Sequence, residues 1–328
     1  MDYPPPMAKP KRRLPEATPG DQRRKKGRSR WPWARIGSSA VAIPLALTII
    51  LLGGWYFTIA FGIIVFLGLE EYLLLVRAKG FTPATKPVTV ASLAIVISAA
   101  MDPAIADTIV PLAGTLVCFY LLFLPRMASI ADLSASVMGL FYCGYLPSYW
   151  VRLRVGGGLI TETPSESLLP LNGYWPPDLA LNTWPTALTA TLLTFACIWA
   201  ADIGAYVMGK WLGRTRLSGI SPKKTVEGSV FGIAGSVIVA IAGAGYLQWP
   251  LWFASGAIFG AMVGIASLLG DLIESLMKRD AGVKDSGRLI PGHGGVLDRT
   301  DSYIFTAPLA YYFVTLLLPV FQTMADKI

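Results

Sequence analysis

Cysteine, histidine and charge are all scarce in this chain, and each scarcity removes a class of protein. The 328 residues hold three cysteines, Cys118, Cys143 and Cys197. All three sit in apolar stretches without C-x-x-C spacing, so neither a disulfide framework nor a zinc site is indicated. Charged residues make up 15% of the chain against 54% hydrophobic residues, with a mean hydropathy of +0.54. That balance is too apolar for a soluble domain of this length and points to a polytopic membrane protein. No G-x-x-x-x-G-K-[ST] phosphate loop is present. No internal repeat is evident either, which weakens the case for an inverted-repeat transporter. His293 is the one histidine.

The charge that is present is unevenly placed. Residues 1–35 carry 11 Lys/Arg and 3 Asp/Glu, so they account for the whole net charge of +8 and leave 17 residues of each sign in 36–328. The same segment holds Pro4, Pro5, Pro6, Pro10, Pro15, Pro19 and Pro32. A stretch this basic and proline-rich cannot bury enough apolar surface to fold, and a disordered tail is expected. Its basic region is too long, and the following apolar run too continuous, for a cleavable signal peptide. Two roles stay open for it, a topogenic signal that keeps the N-terminus cytoplasmic and a contact with anionic lipid.

Apolar segments long enough to cross or nearly cross a bilayer fall at 37–52, 55–76, 88–101, 104–124, 129–150, 183–208, 228–247, 251–277 and 302–324. The expected fold is an all-α polytopic membrane protein with about nine transmembrane helices and cytoplasmic catalytic loops. Gly53-Gly54 and Asp102-Pro103 are the sole separators of two neighbouring pairs, either of which could be a re-entrant hairpin. With the N-terminus inside, nine crossings place 14 of the 17 basic residues of the membrane body in cytoplasmic loops, leaving Arg152, Arg154 and Lys327 outside. The connection 151–182 then faces outward as a polar loop without catalytic chemistry. Three regions result: the tail 1–35, an N-terminal membrane region 36–182 and a C-terminal catalytic membrane region 183–328.

The charged motifs crowd into residues 202–301. From Ser275 to Asp301 the chain reads SLMKRDAGVKDSGRLIPGHGGVLDRTD, with charges, glycines and the histidine set between two apolar segments. Ionisable groups at helix ends facing a membrane are costly unless paired or liganded, so this stretch marks a reaction site. Ser275, Met277, Lys278, Arg279, Lys284, Asp285, Gly287, Ile290, Pro291, His293, Gly294, Gly295, Val296, Asp298, Arg299, Thr300 and Asp301 follow the spaced signature of phosphatidate cytidylyltransferases without a gap. The chain resembles that family, the CDP-diacylglycerol synthases. The D-G-x-x-A-R pattern of CDP-alcohol phosphotransferases is missing.

The resemblance implies an enzyme of phospholipid synthesis in which a phosphate oxygen of phosphatidic acid attacks the α-phosphorus of CTP and pyrophosphate leaves. It implies Mg2+ as cofactor, CTP and phosphatidic acid as partners within a lipid bilayer, no nucleic acid, and a homodimer. A bacterial plasma membrane with a cytoplasmic active site is the expected setting. Such chemistry needs cations against phosphate oxygens, carboxylates for the metal and close backbone approach, with little covalent help from side chains.

Within that frame Asp271, Glu274, Ser275 and Lys278 fall at i, i+3, i+4 and i+7 on one helical stripe. Asp298 and Asp301 share a turn at the start of the last segment. Asp271 and Asp298, with Asp301 beside them, are the candidate metal ligands. Taken singly, Asp301 is equally an N-cap and Asp271 a simple ion-pair partner. Lys278, Arg279, Lys284 and Arg299 are candidate phosphate clamps, Asp285 joins the catalytic set through the signature, and His293 is placed at the substrate. Gly294 and Gly295, with Pro291 and Gly292, allow backbone N–H groups to approach a phosphate or simply form a tight turn.

A second cluster, ADIGAYVMGKWLGRTRLSGISPKKTVEG from Ala201 to Gly228, also resembles the family. Asp202, Tyr206 and Gly209 lie at i, i+4 and i+7, and a carboxylate inside a membrane segment is presumptively functional. Ser221, Lys223, Lys224 and Thr225 offer hydroxyl and ammonium groups to phosphates, with a topogenic loop closed by a Thr225 helix cap as the plainer alternative. Both clusters are expected to meet in one cytoplasm-facing cavity open sideways to lipid. An ion-coupled transporter would instead disperse its charges near the midplane.

Overall fold

The structure is a computed structural model that describes residues 32–156, 168–287, 289 and 294–327. It is built almost wholly from helices: α1 (Pro32–Leu52), α2 (Gly54–Ala78), α3 (Thr85–Met101), α4 (Pro103–Leu122), α5 (Ile130–Gly139), α6 (Leu146–Val155), α7 (Thr186–Leu212), α8 (Val226–Tyr246), α9 (Trp252–Asp280), α10 (Leu297–Ile304), α11 (Thr306–Tyr312) and α12 (Leu318–Ala325). A π turn, Leu140–Tyr145, joins α5 to α6, and another, Phe313–Leu317, joins α11 to α12. Among the described residues six helical runs are long and apolar enough to cross a membrane: α2, α4, α7, α8, α9 and the run Leu297–Ala325. The other three expected segments form the shorter apolar helices Ala42–Leu52 and Thr85–Met101 and the interrupted run α5–α6.

Several boundaries depart from the pattern of hydropathy. α1 begins at Pro32, inside the segment assigned to the tail, because proline is tolerated in a first helical turn. The last span begins at Leu297 rather than near 302, so Asp301 lies within α10 and is not its cap. The connection 151–182 is not uniformly polar. Residues 151–155 belong to α6, and the later described part forms a hairpin of two-residue strands, Leu168–Leu169 with Gly173–Tyr174, that buries Tyr174 and is followed by the exposed Trp175 and Leu179.

The two arginines that oppose the basic-inside pattern are buried and committed to packing. Arg152 donates to Asp107 Oδ1 at 2.7 Å and lies 4.2 Å over the Tyr149 ring. Arg154 donates Nε to Ile50 O at 2.6 Å and Nη2 to Leu51 O at 2.7 Å. These bonds satisfy carbonyls that the end of α1 would otherwise orphan. The chain turns there on Gly53 and Gly54, with φ of 60° and 50°.

α7, α8 and α9 approach closely through small residues. A Cβ on Gly232 would stand 2.6 Å from Ala201 O, and one on Gly260 would stand 2.6 Å from Val237 Cα. Ser236 Oγ donates to Gly260 O at 2.8 Å across the same seam. This is the way membrane helices associate when apolar burial gives no preference for partner over lipid. It holds the polar ends of α7 and α9 against the loop that leads into α8.

Candidate active site

Helices α7, α8, α9 and α10 and the loop before α8 line one polar cavity of about 760 Å³. α7 brings Asp202, Tyr206 and Gly209 to it, as their spacing requires. The loop closes on itself before it reaches the cavity. Leu217 N donates to Lys224 O at 2.9 Å and Val226 N to Thr215 O at 2.9 Å. Thr225 caps α8 by accepting from Gly228 N at 3.1 Å, while Glu227 turns outward to accept from Arg214 N and Thr215 N, both at 3.1 Å. Held this way, Ser221, Lys223, Lys224 and Thr225 all line the cavity.

The α9 stripe divides between two environments. Asp271 faces the cavity, where Lys224 Nζ stands 2.5 Å from its Oδ2 and Ser275 Oγ donates to Oδ1 at 3.3 Å. Glu274 is wholly buried and pairs with Lys278. Lys278 also donates to Asp298 Oδ1 at 2.6 Å, so it bridges two carboxylates and does not line the cavity itself. Arg279 Nε donates to Ile220 O at 3.4 Å and ties the end of α9 to the Lys223 loop.

Asp298, Arg299 and Asp301 of α10 complete the lining. Both oxygens of Asp298 are engaged: beyond the lysine at Oδ1, Oδ2 accepts from Ser286 N at 2.9 Å, Ser286 Oγ at 3.0 Å and Gly295 N at 2.8 Å. The Gly295 amide is thereby committed to Asp298. Gly294 adopts φ of 88°, and a Cβ there would stand 2.7 Å from Asp298 Oδ2, so the turn requires glycine. The negative charge of Asp271 bears on both Asp202 and Asp301, which makes an acidic patch opposite Lys224. Lys284 and Asp285 are exposed and do not line the cavity. His293 lies outside the described residues, as do Ile290, Pro291 and Gly292.

A second cavity of about 700 Å³ adjoins the first and is almost entirely apolar. Its walls include Ile43 and Ile49 of α1, Phe57, Phe61 and Ile64 of α2, and Trp150 of α6. Asp202, Arg299 and Tyr303 line both cavities. Tyr303 accepts from Trp199 Nε1 at 2.7 Å, which fixes its ring at the junction.

The sequence reading missed Glu71 of α2. This buried carboxylate accepts from Ser286 Oγ at 2.8 Å, Val296 N at 2.9 Å and Leu297 N at 2.8 Å. The signal that exposed Asp202, a carboxylate inside an apolar span, applies equally to Glu71.

Fold and site together define a helical membrane protein that sets a carboxylate and ammonium cluster beside an apolar chamber. The chain belongs to the cytidylyltransferase family, whose profile matches residues 33–317, and it is a nucleotidyltransferase enzyme. It is 61% identical over 294 residues to the phosphatidate cytidylyltransferase of Synechocystis sp., covering 89% of this chain and all of that relative. Chloroplastic phosphatidate cytidylyltransferases 4 and 5 of Arabidopsis thaliana are 45% and 43% identical over 277 and 276 residues. Those two matches cover 81% and 82% of this chain and 69% and 68% of the relatives.

Proposed function

We propose that the protein is a phosphatidate cytidylyltransferase, converting CTP and phosphatidate to CDP-diacylglycerol and pyrophosphate. The observation that carries this reading is the pair of adjoining cavities, one charged and one apolar, with Asp202, Arg299 and Tyr303 common to both. An acyl lipid keeps its chains in the apolar chamber and presents its phosphate at the junction, while the nucleotide enters the polar side. One lipid phosphate oxygen forms a bond to the α-phosphorus of CTP as the bond to the bridging oxygen of pyrophosphate breaks. Lys223, Lys224 and Arg299 line the polar cavity and face the charge on the phosphate oxygens. Holding two anionic reactants in line supplies much of the rate when little covalent chemistry is required.

Magnesium suits this donor set, which is all oxygen and places several carboxylates on one cavity. Asp271 and Asp301 would hold it, joined by Asp298 through the Oδ1 atom that Lys278 holds in this structure. When bound, the ion would neutralise phosphate oxygens and aid departure of pyrophosphate. Among the described residues no three carboxylates form a ready-made ion cage. Substrate phosphate and water would complete the shell of the ion. Lys278, Arg279, Lys284, Asp285 and His293 stay in the same reading as groups that act on the reacting phosphates, with Ser275, Gly294 and Gly295 as substrate contacts.

The remaining elements of the reading are a bacterial plasma membrane, nine crossings, a cytoplasmic N-terminus and active site, and a homodimer. Purified protein given phosphatidic acid, CTP and Mg2+ is expected to release pyrophosphate and form a cytidine-bearing lipid. A folded preparation that yields neither product overturns the assignment.

A further inference from the structure

We infer that Glu71 is a positioning residue for the reaction, a carboxylate in the N-terminal half that sets the start of α10 and so aims Asp298, Arg299 and Asp301 into the polar cavity. This inference rests on the function proposed above. Glu71 is 6% exposed and lines neither cavity. Its Oε1 accepts from Val296 N at 2.9 Å, and its Oε2 accepts from Leu297 N at 2.8 Å and Ser286 Oγ at 2.8 Å. With Gly295 N donating to Asp298 Oδ2, three successive amides at the head of α10 are satisfied by two carboxylates. A negative charge at that end also complements the helix dipole. Ser286 Oγ stands within hydrogen-bonding distance of both acids, 2.8 Å from Glu71 and 3.0 Å from Asp298, and so links them.

The same residue accounts for two glycines of the signature. A Cβ built on Gly287 or on Gly295 would collide with the Glu71 carboxylate. The signature segment is therefore shaped around an acid more than 200 positions away in the chain. Glu71 also stands one turn beyond Gly68, the last α2 residue on the apolar cavity, so the helix that walls the lipid chamber also grips the segment bearing Asp298.

Glu71→Gln keeps the size of the side chain but turns one acceptor oxygen into an NH2 group facing an amide donor. The purified Glu71→Gln protein is expected to lose kcat by about a hundredfold, with KM for CTP and phosphatidate changed less than kcat. Amide hydrogen exchange should quicken in peptides covering 294–301, while α7, α8 and the melting temperature stay near wild type. Glu71→Asp, which keeps the charge but withdraws it by one methylene, should recover part of the kcat. Wild-type kcat in Glu71→Gln, or activity loss that tracks a global fall in melting temperature with exchange quickened throughout, overturns the assignment. Exchange is read without turnover, so if the wild type makes no cytidine-bearing lipid the function proposal fails while the positioning of α10 is still decided.

Discussion

Asp271 and Asp298 lie in one cavity yet answer to different forces, and substitution separates them. Asp271 meets Lys224 and Ser275 at a partly open surface, and a neutral amide binds magnesium far less well than a carboxylate. Asp271→Asn is expected to lower turnover by about a hundredfold or more with melting temperature near wild type. Near-normal activity at saturating magnesium would overturn the metal role proposed for Asp271. Asp298→Asn should lose activity and stability together, because Lys278 and three further donors depend on that carboxylate. Lys278→Met leaves Glu274 fully buried without its cation, a loss expected to cost about 3–5 kcal/mol and readable in a detergent unfolding titration. These charges were conspicuous in the sequence because ionisable groups in apolar runs are rare. Their pairing was not, since the spacing that puts Lys278 one turn from Glu274 says nothing of Asp298 twenty residues on.

At the scale of elements, the three-helix seam and the start of α1 each make a prediction. Gly260→Ala would drive a methyl against Val237 Cα and Ser236 O, at 2.6 and 2.7 Å. Overpacking of this kind typically costs about 1–3 kcal/mol, so a lower melting temperature is expected, and an unchanged one would show that α8 and α9 can separate freely. Arg154→Ala removes two hydrogen bonds from the end of α1. Because α1 walls the apolar cavity and not the polar one, KM for phosphatidate should rise by several-fold while KM for CTP holds. An equal rise in both would separate α1 from lipid binding. Long apolar helices such as α2, α7, α8 and α9 were legible from hydropathy, as was the Thr225 cap of α8. The π turn at Leu140–Tyr145 and the early start of α10 were not, and the second is set by a neighbour: a carboxylate on α2 caps α10 five residues ahead of the expected boundary.

For the whole molecule, the net charge and the chemistry reside in separate parts of the chain. Deleting residues 1–30, which carry the excess of basic residues, is expected to leave kcat and KM in detergent within about twofold, since among the described residues all those lining the two cavities lie at 42 or beyond. Loss of activity in a well-folded truncation would place the tail in the site. Composition and hydropathy by themselves determined a helical membrane protein, and the run from Ser275 to Asp301 with its Ala201–Gly228 companion determined the family, because both signals are local along the chain. The three-dimensional arrangement decided which charges share a space. It set Asp202, Lys224, Asp271, Asp298 and Asp301 around one cavity, withdrew Lys278 into a bridge, opened an apolar chamber beside them and brought in Glu71 from the N-terminal half. Spacing along one helix fixes which residues share its face, whereas hydrogen bonds between residues more than 200 positions apart depend on how the helices pack, and no local pattern encodes that.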